Sequence, residues 1–178
     1  EEFCPLEDDR DILIEKMIES DGVVFSTPTY SFQVSGLMKL FLDRLAFFGH
    51  RPRFFGKTFT SIATQGFMGG KDIIKYLSFL GSTIGFNVVK GSYLTTLEPM
   101  TEKGQIKIDK IIDKHSKRFY STLIKKEYRS PTLFKLMIFR MSRTSIKRML
   151  DEEYRDYTYY KEKGLFESDY YYPVNLNP

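Results

Sequence analysis

The sequence lacks several residue types and patterns, and each absence excludes a class of protein. It has one cysteine, Cys4, and no tryptophan among its 178 residues. An internal disulfide framework is therefore excluded, and a reducing, cytoplasmic compartment is expected. No run of about 18 apolar residues is present, so no membrane-spanning helix is expected. The two histidines, His50 and His115, give no zinc-ligand spacing, and we interpret them as a helix-end and a surface histidine.

The sequence has no strong excess of positive or negative charge, and it lacks the pattern of a secretory signal. Twenty-seven basic and 23 acidic residues leave a net charge of +4, which indicates solvated surfaces. A nucleic-acid partner would need a denser basic patch and a reading motif, so none is expected. The opening EEFCPLEDD has neither a basic nor an apolar segment and no initiator methionine. We expect no secretory signal, and we expect that this start is not a natural N-terminus.

Helical and strand patterns alternate through the first 126 residues. Short links between them predict right-handed crossovers and a parallel α/β sheet. The predicted elements are helix 11–20, strand 23–27, helix 35–48, strand 57–64, helix 71–85, strand 87–96 and helix 106–126.

Periodicity also predicts which side chains these elements bury. The strand VVFST, residues 23–27, has no polar alternation and is expected to be buried on both faces, with Pro28 ending it. Gly22 is expected to supply the positive φ of a helix exit. The predicted apolar stripes are Ile12, Leu13, Met17 and Ile18 in the first helix, and Leu37, Phe41 and Leu45 in the second.

Residues 128–178 differ in composition from the rest of the chain. Pro131 is expected in the first turn of a basic, apolar helix over 131–150, and seven of the twelve tyrosines follow that helix. Disordered segments are poor in aromatic residues, so this region should be ordered. We predict two domains, a sheet domain over 1–127 and a helical, tyrosine-rich extension over 128–178.

Two loops follow predicted strands where an open α/β sheet binds ligands. Beyond the carboxyl end of the first strand lie Thr27–Phe32, where Tyr30 could face a planar ring. After the next strand comes ATQGFMGG, residues 63–70, whose glycines allow a ligand to approach the backbone closely. From the residues alone, ordinary connecting loops remain an equal alternative for both segments.

A longer motif surrounds the first loop. Its parts are Asp21-Gly22, Thr27-Pro28-Thr29-Tyr30, Ser35-Gly36, Lys39 and Asp43-Arg44. This run resembles the signature of NADPH-dependent FMN reductases and iron-sulfur flavoproteins, whose fold is flavodoxin-like, with a three-layer parallel sheet. The resemblance implies an FMN-dependent NAD(P)H oxidoreductase without a catalytic side chain or a metal. The implied FMN-binding residues are Thr27, Pro28, Thr29, Tyr30, Ser31, Thr64, Gln65, Gly66 and Gly69.

The sequence departs from this family in two respects. The first strands of the sheet, with the loop that holds the FMN phosphate, are expected to be absent from this chain. Cys4 resembles the last cysteine of a cluster motif, but one thiolate cannot hold an iron-sulfur cluster, and none is expected. An alternative function is therefore a flavodoxin-like interaction or structural module that no longer binds flavin.

The expected partners follow from the same resemblance. A small molecule or protein accepts the electrons, and a homodimer is expected because dimers are common in this superfamily. Residues 128–178 would build that dimer or cover the flavin pocket. Binding of helix 131–150 to a membrane surface is the weaker alternative.

Overall fold

The chain folds into two units, Glu1–Tyr128 and Arg129–Pro178. The computed structural model describes Leu6 and residues 8–174. In unit 1 the elements are α1 (Arg10–Glu19), β1 (Gly22–Tyr30), β2 (Gln33–Val34), α2 (Gly36–Arg44), a 3-10 turn (Ala46–Gly49), β3 (Thr58–Gln65), α3 (Gly70–Thr83), β4 (Asn87–Val88), β5 (Ser92–Thr95) and α4 (Glu102–Leu123). In unit 2 they are α5 (Leu133–Met149), α6 (Arg155–Glu162) and a 3-10 turn (Leu165–Glu167).

The sheet of unit 1 is built around β3. Strand β1 runs parallel to β3 from the pair Gly22 and Thr58 to the pair Pro28 and Thr64. Both β4 and β5 are parallel to β3 as well. The predicted parallel α/β sheet is therefore confirmed, and the carboxyl ends of β1, β3 and β5 meet at one edge.

An aromatic core fixes the helices to this sheet. The buried Phe59 ring on β3 lies 5.1 Å from Phe25 on β1 and 5.4 Å from Phe86. Phe54 stacks on Phe86 at 4.5 Å. Because each buried Phe contributes about 1.5–3 kcal/mol, this cluster is a main source of unit 1 stability.

Strand β1 differs from its prediction at both its end and its faces. It continues through Pro28 to Tyr30, because Pro28 forms the last pair with β3 and its missing N–H costs little there. Burial alternates instead of covering both faces: Phe25 and Thr27 are buried, whereas Val24 is 47% exposed.

The predicted apolar stripes of the first two helices were partly wrong. In α1 the buried apolar residues are Ile14 and Met17, and the others predicted to be buried, Ile12, Leu13 and Ile18, are exposed. In the second stripe Leu45 is buried and follows α2, whereas Leu37 is 81% exposed. Spacing identifies a helical face, but packing decides which of two overlapping faces is buried.

Gly22, Pro131 and His115 do not have their predicted roles. Gly22 begins β1 without a positive φ, and a Cβ there would lie 2.6 Å from Leu123 Cδ1. Pro131 precedes Thr132, the N-cap of α5, and so lies outside the helix. His115 is buried at 5% exposure against the sheet and is not a surface residue.

The predicted strand 87–96 is interrupted. It forms the two short strands β4 and β5, which both pair with β3. Between them the Thr60 hydroxyl donates to the Val89 carbonyl at 3.2 Å. The register against β3 also shifts by one residue, because three steps from Phe59 to Ile62 face four steps from Val88 to Ser92. An extra residue of this kind interrupts the ladder, and strand periodicity does not reveal it.

Unit 2 has an aromatic core of its own. Phe139 of α5 contacts the Tyr170 and Tyr171 rings at 5.5 and 4.7 Å. The Tyr160 and Tyr171 hydroxyls lie 3.0 Å apart, and burial raises the pKa of Tyr160 to about 12. The tyrosine-rich region is thus folded, as its composition predicted.

Candidate flavin site

The first loop of the candidate site is a tight hairpin between β1 and β2. Thr29 pairs with Val34 and Tyr30 pairs with Gln33. The two turning residues, Ser31 and Phe32, have positive φ values of 47° and 64°. Such a backbone costs about 1–3 kcal/mol per residue when the residue is not glycine. Strain of this kind is concentrated at functional sites, which favours a functional role for the turn.

The side chain of Thr27 stabilises the residues that follow this hairpin. Its side chain is 2% exposed, and its Oγ1 accepts a hydrogen bond from the Ser35 N–H at 3.1 Å. Ser35 Oγ in turn accepts from the Met38 N–H at 3.3 Å and caps α2. The Thr27 hydroxyl is therefore used to position α2 and the hairpin.

The second loop, residues 66–69, is held by the Gln65 side chain. Gln65 is buried at the end of β3, and its Oε1 accepts from the Gly70 N–H at 2.8 Å. Its Nε2 donates to Thr95 Oγ1 at 3.2 Å. One amide thus fixes the start of α3 and joins it to the end of β5.

The two loops touch at Gly69 and Thr29. Gly69 has a φ of 103°, and a Cβ there would lie 2.9 Å from Thr29 Cγ2 and 3.4 Å from Phe32 Cα. Beside this contact the Thr29 hydroxyl is buried and has no hydrogen-bond partner. A buried hydroxyl without a partner is costly in the protein alone, and a polar group of a ligand would satisfy it.

Aromatic side chains are exposed around this contact. Tyr30 is 64%, Phe32 62% and Phe67 84% exposed. The sequence analysis included Phe32 in the first loop without predicting that it binds a ligand, and it missed Phe67, although a phenylalanine inside a glycine-rich turn is an available signal. Neither segment 27–34 nor segment 64–70 contains a charged residue. The two loops therefore offer apolar faces and backbone groups, which suits an uncharged planar ring.

The remaining predicted site residues lie at the same edge. Pro28 and Thr64 face each other as the last register pair of β1 and β3. Ser31 lies in the hairpin turn, and exposed Gly66 begins the second loop. The structure thus brings all nine predicted residues together, and their binding of FMN stays a prediction. The exposed rings and the unsatisfied Thr29 hydroxyl suit a flavin ring, which Thr29, Tyr30, Phe32 and Phe67 would hold.

The part of the chain that the structure describes lacks two other features. No helix there combines the length and the apolar character of a membrane span. No group of three or more His, Cys, Asp or Glu side chains there could hold a metal ion. The interpretation of Cys4 lies outside the described residues.

Known proteins resemble the chain in both sequence and fold. The model of the NADPH-dependent FMN reductase family matches residues 1–97. An iron-sulfur flavoprotein of Archaeoglobus fulgidus is 29% identical over 173 residues, which cover 91% of this chain and 73% of the relative. An iron-sulfur flavoprotein of Clostridioides difficile is 28% identical over 168 residues, which cover 92% of this chain and 70% of the relative.

A solved structure supports the fold. The structure described as flavone reductase aligns with a TM-score of 0.51 at 17% identity, and the alignment covers 71% of this chain and 52% of that one. This likeness concerns the fold alone. With more than half of its residues matched by one family model, the chain belongs to the NADPH-dependent FMN reductase family and is a flavodoxin-like flavin oxidoreductase that works with FMN and NAD(P)H.

Proposed function

We propose that this protein holds FMN between its two contacting loops and passes electrons from NAD(P)H to an acceptor bound on the exposed face of the ring. The observation that carries the proposal is the contact of hairpin 29–34 with loop 66–69 around the unpartnered Thr29 hydroxyl. Bound FMN would supply the redox chemistry by accepting a hydride from NAD(P)H and giving electrons to the acceptor.

The residues of the chain position and shield the ring. Tyr30, Phe32 and Phe67 provide aromatic surface against which it can stack. The Thr29 hydroxyl offers a hydrogen bond to a polar group of the ligand. Gln65 fixes the loop so that backbone N–H groups near Gly69 stay in place. No acid or base is needed for hydride transfer, which agrees with the absence of charged side chains from both loops.

Flavin binding by the full-length protein tests this proposal. We expect a purified protein with a flavin spectrum, or one that gains it when FMN is added. Replacing Tyr30 by Ala should weaken FMN binding by about 1–3 kcal/mol if the ring stacks on it. Tyr120→Ala is a matched control, because Tyr120 is equally exposed, at 63%, but lies on α4. A colourless protein that takes up no FMN would contradict the proposal and favour an interaction module instead.

We further propose that the partner of the chain is a second copy of itself. Helix α5 exposes an apolar stripe, defined by Leu133, Phe134, Met137, Ile138 and Met141. Phe and Met are enriched at the buried centres of interfaces, and apolar surface of this extent is uncommon on monomers. A homodimer formed through this α5 stripe would cover it.

A further inference from the structure

A second cavity of unit 1 lies along β5 and α4. Its volume is about 570 Å³, which suits a small organic molecule. Strand β5 pairs only with β3 within the described residues, so its outer edge has no strand neighbour. The apolar part of the lining comprises Leu97, Pro99, Met100, Ile108 and Ile111.

The charges around this cavity have one sign. Lys90, Lys107 and Arg118 line it, and no Asp or Glu does. Within the part of the chain that the structure describes, none of these three cations forms an ion pair. Unpaired cations beside an apolar surface form a binding site for the charged end of an amphipathic anion.

Of the three cations, Arg118 is the one whose position is fixed by hydrogen bonds. Its Nη2 donates to the Lys90 carbonyl at 3.2 Å and to Ser92 Oγ at 3.1 Å. Its Nε is buried without a hydrogen-bond partner. The guanidinium is therefore fixed in place by two bonds while one of its donors stays unsatisfied, which an anionic oxygen would relieve.

A hydrogen-bond chain connects Arg118 to the buried His115. Ser92 Oγ, which accepts from Arg118, lies 2.9 Å from His115 Nδ1, and His115 Nε2 lies 3.4 Å from Thr60 Oγ1. Because Thr60 donates to the Val89 carbonyl, the consistent assignment has the imidazole donating from Nε2 and accepting from Ser92 at Nδ1. A neutral His115 thus satisfies the whole chain.

From this geometry we propose that the β5–α4 cavity binds a small organic anion with an apolar body. Its carboxylate or other anionic group contacts Arg118 and Lys90, and its apolar body lies against Ile108, Ile111 and Met100. The site is distinct from the two flavin loops. It adjoins the second loop through Thr95, which accepts from Gln65, and through Tyr93 and Leu97, which lie beside Gly70 and Gly66.

Titration calorimetry on the full chain with octanoate as the probe tests this proposal. We expect one octanoate per chain, bound at least about tenfold more tightly than the neutral octanamide, and no measurable heat with inorganic phosphate. Lys90→Gln should weaken octanoate binding about two- to fivefold. Lys110→Gln is its control, because Lys110 is also exposed but does not line the cavity.

The histidine NMR signals locate the bound probe. An anion beside Arg118 offsets the positive charge that helps to lower the pKa of His115, and it can accept the Ser92 proton. Octanoate should therefore shift the His115 resonance and raise its pKa, whereas His50 stays unchanged.

Arg118→Gln should abolish binding, and Arg118→Lys should restore part of it. Because the Arg118 variants also lose bonds to the backbone, the exposed Lys90 provides the test that does not depend on folding: Lys90→Gln keeps the carbonyl that accepts from Arg118. Equal affinities of octanoate and octanamide would overturn the proposal. Equal effects of Lys90→Gln and Lys110→Gln, or a response of His50 in place of His115, would do the same.

Discussion

At the scale of single residues, Thr29 is the position where stability and ligand binding oppose each other. Its buried hydroxyl has no partner, so replacing Thr29 by the isosteric Val should raise the free energy of unfolding of the flavin-free protein by about 1 kcal/mol. The same change should weaken FMN binding, because the ligand loses a hydrogen bond. Urea unfolding and flavin titration measure the two effects.

Thr27→Val is the control for this pair of effects. The Thr27 hydroxyl accepts from the Ser35 N–H, so its loss should lower stability by about 1 kcal/mol. If both variants lose stability alike, the Thr29 hydroxyl has a partner in the protein and the argument for its role fails.

His115 gives the stability of the protein a dependence on pH. Burial, and then the charge of Arg118, lower its pKa below the ordinary histidine value of about 6.5. As the pH falls below about 6.5, the unfolded chain binds a proton at this residue before the native protein does, so stability decreases. The loss begins near the unfolded pKa and ends once the pH is below the lower, native pKa.

Urea unfolding at pH 7.5 and 5.5, values on either side of about 6.5, tests this dependence. Between these two pH values the His115→Gln variant should lose less stability than the unsubstituted protein. The His50→Gln variant should lose as much stability as the unsubstituted protein. If His115→Gln shows the same difference in unfolding free energy between the two pH values as the unsubstituted protein, other groups cause the pH dependence.

Residue roles were predictable only where they depend on position along a strand. The ends of strands identified Thr29, Tyr30 and Gln65, because parallel strands bring their carboxyl ends together. The burial of His115 and the bonds of Gln65 were not predictable, since both depend on partners more than 20 residues away in the sequence, such as Ser92 and Thr95.

At the scale of elements, the packing of α3 on the sheet depends on one small residue. A Cβ at Gly81 would lie 2.6 Å from the ring of the buried Phe59. Gly81→Ala should therefore destabilise the protein by about 1–3 kcal/mol, as overpacking of a core does. Gly36→Ala in α2 has open space around its Cβ and should be neutral or slightly stabilising. Thermal unfolding compares them, and equal melting temperatures would contradict the close packing.

The order and type of the elements were predicted better than their faces and ends. Strand 57–64 was predicted within one residue of β3, because apolar and β-branched residues mark a buried central strand. The two-residue strand β2 was missed, because Ser31 and Phe32 form its turn with positive φ. Two-residue hairpins favour such a backbone, but their usual sequence signal is Asn-Gly or Asp-Gly. The exposed side of α1 was mistaken for its buried side because its apolar residues cover more than one face.

At the scale of the whole molecule, the α5 stripe predicts how copies of the chain associate. Met141→Glu should convert a dimer into monomers, because it places a charge in the contact. Ile124→Glu is the matched control, since both side chains are 59% exposed and Ile124 lies outside the stripe. Light scattering gives the mass of each variant. A monomeric unsubstituted protein, or release by salt from anionic vesicles, would favour the membrane alternative over the dimer.

The Gln65 amide also creates a thermodynamic linkage. It bonds to Gly70 at the flavin loop and to Thr95 at the edge of the proposed anion cavity. A ligand that forms a hydrogen bond with the Thr95 hydroxyl competes with the Gln65 amide. The amide then changes position, and the free energy of loop 66–69 changes with it. The factor by which an anion alters FMN affinity must then equal the factor by which FMN alters anion affinity. With the proposed anion bound, a single side chain would thereby give a flavin reductase cooperative or antagonistic control by a molecule that takes no part in the redox reaction.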